Sequence, residues 1–468
     1  MTLKTKLAPV LAFSLLAALF AGCSSGPASS DADGDKSPDY IDDKTLEAFD
    51  TDLRDLAASI QRADTSGESS MRAKISESAR IYQKALISAL YDDSSTSRRA
   101  LAGVMLGFTG DSAVVPMLME VVANPDEPES VRLNSVLGLT TLGDKLRDYK
   151  NHSELMLLLS DCMSDTESSF QMRRACVQAF AVAYDGALND SIVPLRNRFV
   201  SDASPNVQIA AVNAMGDIGD LAAVLDLTTI GLRHPAPEIR AASAIALGKI
   251  QDPNRVLPAL SEACADESVQ VRRQAIDAIS KHYGSDPELV YSTVLTGLAD
   301  FDDRVRESAA LALARIKDQR AIEPLLQATG DRVAVVREAA ARSLGDLVPA
   351  EREKEIFPLV ELLSDQNPGV QIASLQSLTR VTRTDMGNDQ SRWRKFFYTK
   401  YPELDPSKLY DGKAKPRFSS GISNSGTRSR TTSSQPRTNN NNRNTNSRTN
   451  TRNTNTRNTN TRTNNNRR

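Results

Sequence analysis

From about residue 90 to residue 380 the chain restates one pattern: an acidic residue, five residues, then Arg at the head of an Ala-rich stretch. The clear copies are Asp93/Arg99, Asp126/Arg132, Glu167/Arg173, Asp266/Arg272, Asp300/Arg306 and Asp331/Arg337. Asp202/Gln208, His234/Arg240 and Asp365/Gln371 keep the frame with one member changed. The nine anchors are separated by 33, 41, 35, 32, 32, 34, 31 and 34 residues. A period in that range means stacked supersecondary units rather than one closed globule. The 41-residue gap predicts a longer connection around Gly143 to Ser153.

Counting from each anchor Arg, apolar or small residues favour positions −1, +3, +4 and +7, as in Val271, Ala275, Ile276 and Ile279, or Val336, Ala340, Ala341 and Leu344. These fall on one face at 3.6 residues per turn, so each anchor opens an amphipathic helix. Upstream, Pro116, Pro194, Pro258, Pro324 and Pro358 predict the first turns of a second set of helices, where a missing N–H costs nothing. Each repeat reads as helix, tight turn, helix. Alone it leaves two apolar stripes in water; stacked, each repeat covers its neighbour. The expected fold is all-α, a solenoid of about nine helix pairs. Its ends need caps. Leu46, Phe49, Leu53, Leu56 and Ile60 share one helical face ahead of the repeats, and a second helix is expected from about Met71 to Leu90. Trp393, Phe396 and Phe397, within Ser391 to Tyr401, supply a cap behind them. Their basic neighbours also permit a membrane or nucleic-acid contact, but helical spacing directly beyond the repeats favours the cap.

The Asp-x5-Arg element, with endings such as Ala246-Leu247-Gly248 and Ser343-Leu344-Gly345, resembles HEAT repeats over about three hundred residues. The likeness is to the short bacterial type named after phycobilisome lyases. The resemblance implies a right-handed solenoid, an Asp in each turn between helices and a ladder of Arg along the stack, so these charges are read as structural. It also implies a concave face lined by the second helices, where extended partners bind. At positions +1 and +5 side chains point away from the packed stripe, which nominates Arg174, Gln178, Asn213, Arg273, Asp277, Glu307, Glu338, Arg342 and Gln376 for partner binding. Ala100, Val104, Leu133 and Leu137 hold the same rows in the first two repeats, as an apolar patch or as a surface covered by the N-terminal helices.

Lys4 and Lys6 precede an apolar run from Leu7 to Phe20, too short to span a bilayer comfortably, and Ala21-Gly22-Cys23 follow. This resembles a bacterial lipoprotein signal, with Phe20 where Leu is commoner. The resemblance implies cleavage before Cys23 and a diacylglycerol on its thiol. Ser24 after the Cys is similar to lipoproteins sent to an outer membrane facing the periplasm. Ser24 to Asp43, rich in Ser, Asp, Gly and Pro, suits a flexible tether. The expected organisation is a signal over 1–22, tether 23–43, N-terminal cap 44–90, repeats 91–385, C-terminal cap 386–410 and a tail 411–468.

No Gly-rich phosphate loop or nucleophile motif occurs. His152, His234 and His282 precede Ser, Pro and Tyr, so the His-Glu pairs of a metal-binding HEAT-like hydroxylase are missing and no metal, cofactor or enzymatic activity is expected. Cys162 and Cys176 fall on facing helices of one repeat, which permits a disulfide; the core position of Cys176 favours small buried thiols instead. The net charge of −2 conceals an asymmetry. Residues 412–468 carry two Lys and eleven Arg and no acid, and the signal adds two Lys, which leaves −17 on residues 23–411. The Asn/Thr/Arg-rich tail cannot bury enough apolar area to order itself, so disorder is expected there. Its diffuse positive charge fits acidic polysaccharide or lipid headgroups rather than a specific nucleic-acid site. The leading expectation is a lipid-anchored scaffold for another protein at the cell envelope; the alternative is a polyanion binder working through the tail.

Overall fold

A computed structural model describes residues 40–92, 94–186 and 192–407. The signal, Cys23, most of the tether, Asp93 and the basic tail lie outside the described residues. The described residues form one compact unit whose regular secondary structure is all helix.

Two antiparallel helices open it, α1 (Asp43–Gln61) and α2 (Thr65–Ile81). Nine helix pairs follow among the described residues. Repeats 1–3 are α3 (Gln83–Leu90) with α4 (Thr96–Phe108), α5 (Val115–Ala123) with α6 (Glu129–Leu142), and α7 (His152–Ser164) with α8 (Phe170–Ala183). Repeats 4–6 are α9 (Val193–Ser201) with α10 (Pro205–Ile218), α11 (Ala223–Asp226) with α12 (Pro237–Leu247), and α13 (Pro253–Ala263) with α14 (Val269–Ser280). Repeats 7–9 are α15 (Pro287–Gly297) with α16 (Asp303–Ile316), α17 (Ile322–Ala328) with α18 (Ala334–Leu347), and α19 (Leu359–Leu362) with α20 (Pro368–Thr382). A last helix, α21 (Gln390–Lys400), closes the stack. The helix expected over 71–90 is divided at Tyr82, so its second half is the first helix of repeat 1.

The stripe read from the sequence is the core: Val271, Ala275, Ile276 and Ile279 are buried, as are Val336, Ala340, Ala341 and Leu344. Pro116 and Pro194 sit in first turns as predicted. Pro258 does not. Asp252 caps α13 six residues earlier, so Pro258 lies inside the helix, on its exposed side. The long connection of repeat 2 is a 3-10 turn, Gly143–Leu146, entered through Gly143 at φ +62°.

Successive second helices pack directly on one another from α4 to α20, whereas successive first helices touch over shorter stretches. The second helices form the more closely packed row, here the inner row. Small residues allow the approach: a Cβ on Gly107 would stand 2.2 Å from the carbonyl oxygen of Gly138 on the next second helix. At the far end Trp393 and Phe397 are fully buried, and the indole N–H donates to the Gly387 carbonyl at 2.8 Å. At the near end α1 packs on α4, and Arg98 donates to Asp43 at 2.8 Å.

Candidate functional site

The charges that define the repeat form forks between neighbouring repeats. Arg306 donates from Nε and Nη2 to the two carboxylate oxygens of Asp331, one repeat ahead, at 2.7 and 3.0 Å. Its Nη1 turns back to the Asp300 carbonyl at the start of its own turn, at 2.9 Å. Arg173–Asp202, Arg240–Asp266, Arg272–Asp300 and Arg337–Asp365 repeat the geometry. Each Asp also accepts the backbone N–H two residues on, for example Val333 N–H to Asp331 at 2.8 Å, which fixes the turn. Burial raises the Asp331 carboxyl and Arg306 more than offsets it, so its pKa lies below the ordinary value; Asp202 and Asp300 behave alike. At Asp365 the hydrogen bond from Arg337 is the leading cause of the same downward shift.

Two predicted ladder acids, Asp126 and Glu167, are displaced, and a third, Asp93, lies outside the described residues. In repeat 2 it is Asn124 that accepts the Asp126 N–H, and in repeat 3 it is Asp165 that accepts the Glu167 N–H. From the capping residue to the next helix these turns run two residues further than in repeats 4 and 6–9, and Asp126 and Glu167 are left exposed. In repeat 1 Asp92 accepts from Ser94 N–H, beside the undescribed Asp93. Arg99 pairs with Glu127 rather than with Asp126, and Arg132 donates to the Val122 carbonyl.

Arg132 donates to a carbonyl in place of a carboxylate one repeat ahead, and the ladder is interrupted again between repeats 4 and 5. Gln208 stands where an Arg would reach forward, and His234 stands where its Asp would be. Both ends of the missing fork are changed together, so neither leaves a buried charge unpaired. His234 still fixes its turn, with Nδ1 accepting the Ala236 N–H at 3.1 Å. Gln371, the last anchor, has no repeat ahead of it, and its amide keeps only the return bond to the Asp365 carbonyl.

The nine nominated partner-binding residues all lie on second helices along the inner row, but they are not equally available. Asp277 is held by Lys281 and by Arg315 of the next repeat, both at 2.8 Å. Burial raises its carboxyl, and these two cations bring it net below the ordinary value. Arg342 pairs with Glu338, and Arg273 donates to Ser308. Arg174 and Gln178 are half-buried, and burial lowers the Arg174 guanidinium pKa. Asn213 and Glu307 are half-buried as well, and Gln376 is exposed. Lys249–Asp217 and Arg380–Asp346 stitch the same row between repeats. Val104 and Leu137 are buried and Ala100 and Leu133 half-buried, so the early rows offer little open apolar surface.

Two features escaped the sequence reading. Cys162 and Cys176 form a disulfide between α7 and α8, with Cα atoms 6.0 Å apart, in place of the expected buried thiols. Facing helices of one repeat bring the two positions together. The remaining described thiol, Cys264, is pushed up to about 12 by burial. The outer face of repeats 3–5 also exposes Leu157, Val193, Val200, Leu221, Leu225 and Ile230. The segments that carry them lack an anchor residue from which to count a face. Among the described residues no helix is long and apolar enough to cross a membrane.

Residues 192–280 and 291–379 match the family of HEAT repeats. No curated protein matches in sequence. Among solved structures, a chain from the structure of Kap95p with RanGDP aligns at 14% identity and TM-score 0.49, over 86% of this chain and 54% of that one. Importin beta in an ammonium sulfate condition aligns at 14% identity and TM-score 0.48, over 72% and 51%. An engineered protein aligns at 16% identity and TM-score 0.37, over 81% and 99%. The chain thus spans about half the length of the first and of importin beta.

Proposed function

We propose that this chain is an exported, lipid-anchored scaffold that holds another protein against the inner row of its repeats at a bacterial cell envelope. The coarse part, a scaffold for protein interaction, follows from the HEAT repeats at 192–280 and 291–379. The observation that carries the site is the row of second helices packed one on another from α8 to α20, tied by ion pairs between repeats 4 and 5, 6 and 7, and 8 and 9, with Asn213, Glu307 and Gln376 distributed along it. Rigid stacked helices present such a surface without ordering cost on binding. Export is supported by the signal resembling that of lipoproteins and by the Cys162–Cys176 disulfide, because disulfides persist in oxidising compartments. A tether from Cys23 to the buried Ile41 reaches at most about 60 Å when extended, which would keep repeat 1 near the membrane.

The test is site-specific photo-crosslinking in intact cells. A photoreactive residue at Asn213, Glu307 or Gln376 is expected to trap one common protein, whereas one at Ser292 on an outer helix traps none. Equal adducts from both faces would reject the inner-row assignment. Lipidation is checked by the mass of the N-terminal peptide, which must begin at Cys23 and carry acyl chains. The second reading, polyanion binding, rests on the thirteen positive charges and no acid of residues 412–468. It predicts salt-dependent retention on acidic polysaccharide that disappears when residues 419–468 are deleted.

A further inference from the structure

The outer helices divide into two kinds of surface. In repeats 6–8 their exposed positions are polar: Arg255 and Glu262, Glu288 and Ser292, Glu323 and Gln327. In repeats 3–5 apolar side chains stand among polar ones such as Glu154, Asp161 and Asn197. Leu157 is 62% exposed, Val193 and Val200 49% and 51%, Leu221 and Leu225 53% and 63%, and Ile230 38%. The three helices adjoin: α7 packs on α9, and Arg196 of α9 donates to Asp226 of α11 at 2.8 Å. This face also coincides with the irregular part of the stack. A π-turn over Leu227–Gly231, closed by Leu232 N–H to the Leu227 carbonyl at 2.8 Å, displays Ile230, and the ladder is interrupted between the same two repeats, 4 and 5. π-turns are costly insertions and concentrate at functional sites.

We infer that the outer face of repeats 3–5 is a twofold contact between two copies of this chain. The exposed apolar side chains present on the order of 500 Å², which matches the apolar centre of a stable interface that buries about 800 Å² per partner. The charges around it are arranged for self-pairing. Glu154 and Asp161 are exposed on repeat 3, while Arg233, 70% exposed at its side chain, lies on repeat 5, and Arg255, 65% exposed but held by Asp252 at 3.0 Å, lies on repeat 6. Arg233 meets Glu262 only at 3.7 Å with both side chains exposed, a pair of little worth that leaves its charge open to a better partner. A twofold axis through repeat 4 sets repeat 3 of one copy over repeats 5 and 6 of the other, acid against base, with Val193 and Val200 at the centre. A single patch that complements itself closes as a dimer and does not propagate.

The contact uses the face opposite the inner row, so it stands or falls independently of the proposed scaffold site. The full chain, purified in mild detergent, is expected to show the mass of two chains by light scattering at micromolar concentration. Val200→Glu with Leu225→Glu buries four unpaired charges per dimer and is expected to weaken association by about a hundredfold or more, with unchanged helicity and thermal midpoint. Ser292→Glu on the polar outer face leaves the two-chain mass in place. In cells, Asn197→Cys at the centre of α9 is expected to couple to a second copy through a bifunctional maleimide. A single-chain mass for the unaltered protein, a two-chain mass that survives the double Glu substitution, or coupling of position 197 to a different protein would each overturn the inference.

Discussion

Arg306 and Asp331 meet across the junction of repeats 7 and 8 as a two-bond fork, and the third guanidinium nitrogen ties the fork to the turn that launches α16. One side chain thereby sets the register between two repeats and the geometry within one. Desolvation offsets much of the attraction in such a pair, so its weight lies in what happens when one member is lost.

Arg306→Ala is expected to cost about 3 kcal/mol, because Asp331 would keep a largely buried charge with no counterion. Arg306→Gln with Asp331→Asn copies the chain's own neutral solution at Gln208 and is expected to cost less, about 1 kcal/mol. Hydrogen exchange across α16 and α18 measures both, since a long repeat array need not unfold in one step. Equal losses for the two variants would show that the fork contributes no more than a neutral hydrogen bond.

The interruption at Gln208 and His234 gives the converse experiment. Gln208→Arg alone introduces a buried cation with no carboxylate ahead of it, and His234→Asp alone introduces the opposite charge. Each is expected to be neutral or destabilising, and together they are expected to recover about 1–2 kcal/mol as coupling energy in a double-mutant cycle. Additive effects would mean that the spacing between repeats 4 and 5 cannot accommodate a fork.

The period of the anchors and the faces they define were legible because each second helix buries its stripe against two neighbours, which forces the same residue types to the same positions nine times. The turns were less legible. An Asx cap follows the length of its loop, so Asn124 and Asp165 displaced Asp126 and Glu167 by two residues without changing the Arg positions. The forward reach of each Arg was legible only as a ladder; that Gln208 and His234 are the two ends of one missing fork depends on a contact between repeats. The inner row was found by position, but which of its charges are spent on neighbours, as Asp277 is on Arg315, is a property of the stack. The apolar side chains of the outer face had no signature, because the segments that carry them lack an anchor residue and a π-turn breaks the helical count.

Asp220 is 8% exposed and sits at the end of α10 with Oδ2 buried and lacking a hydrogen-bond partner, while Oδ1 accepts the Ala222 N–H at 2.9 Å. Burial raises its carboxyl above the ordinary value. An acid with a raised folded pKa holds its proton longer in the folded state, so its penalty is absent below the ordinary carboxylate range, grows as pH rises from there toward the raised value, and is complete above it. Asp220→Asn keeps the cap and is expected to stabilise repeats 4 and 5 by about 1 kcal/mol at pH 7, with the gain fading as pH falls from the raised value toward the ordinary carboxylate range. The ladder acids have the opposite sign. Asp202, Asp300, Asp331 and Asp365 have lowered pKa values, so their contribution is complete above about pH 4 and is lost as pH falls through the folded values. Thermal midpoints of the parent and Asp220→Asn between pH 3 and 8 check both signs.

The thiols give the last prediction. Cys162 and Cys176 are joined and buried, and burial keeps the Cys264 thiol protonated far above neutral pH. Only a thiolate reacts at a useful rate. Iodoacetamide at pH 8 is therefore expected to modify none of the three in the folded chain, Cys264 alone after unfolding without reductant, and all three after unfolding and reduction. Peptide masses distinguish the cases. Labelling of Cys162 in the unreduced, unfolded chain would show that the helices of repeat 3 are held by packing alone. It would also remove the disulfide as support for export.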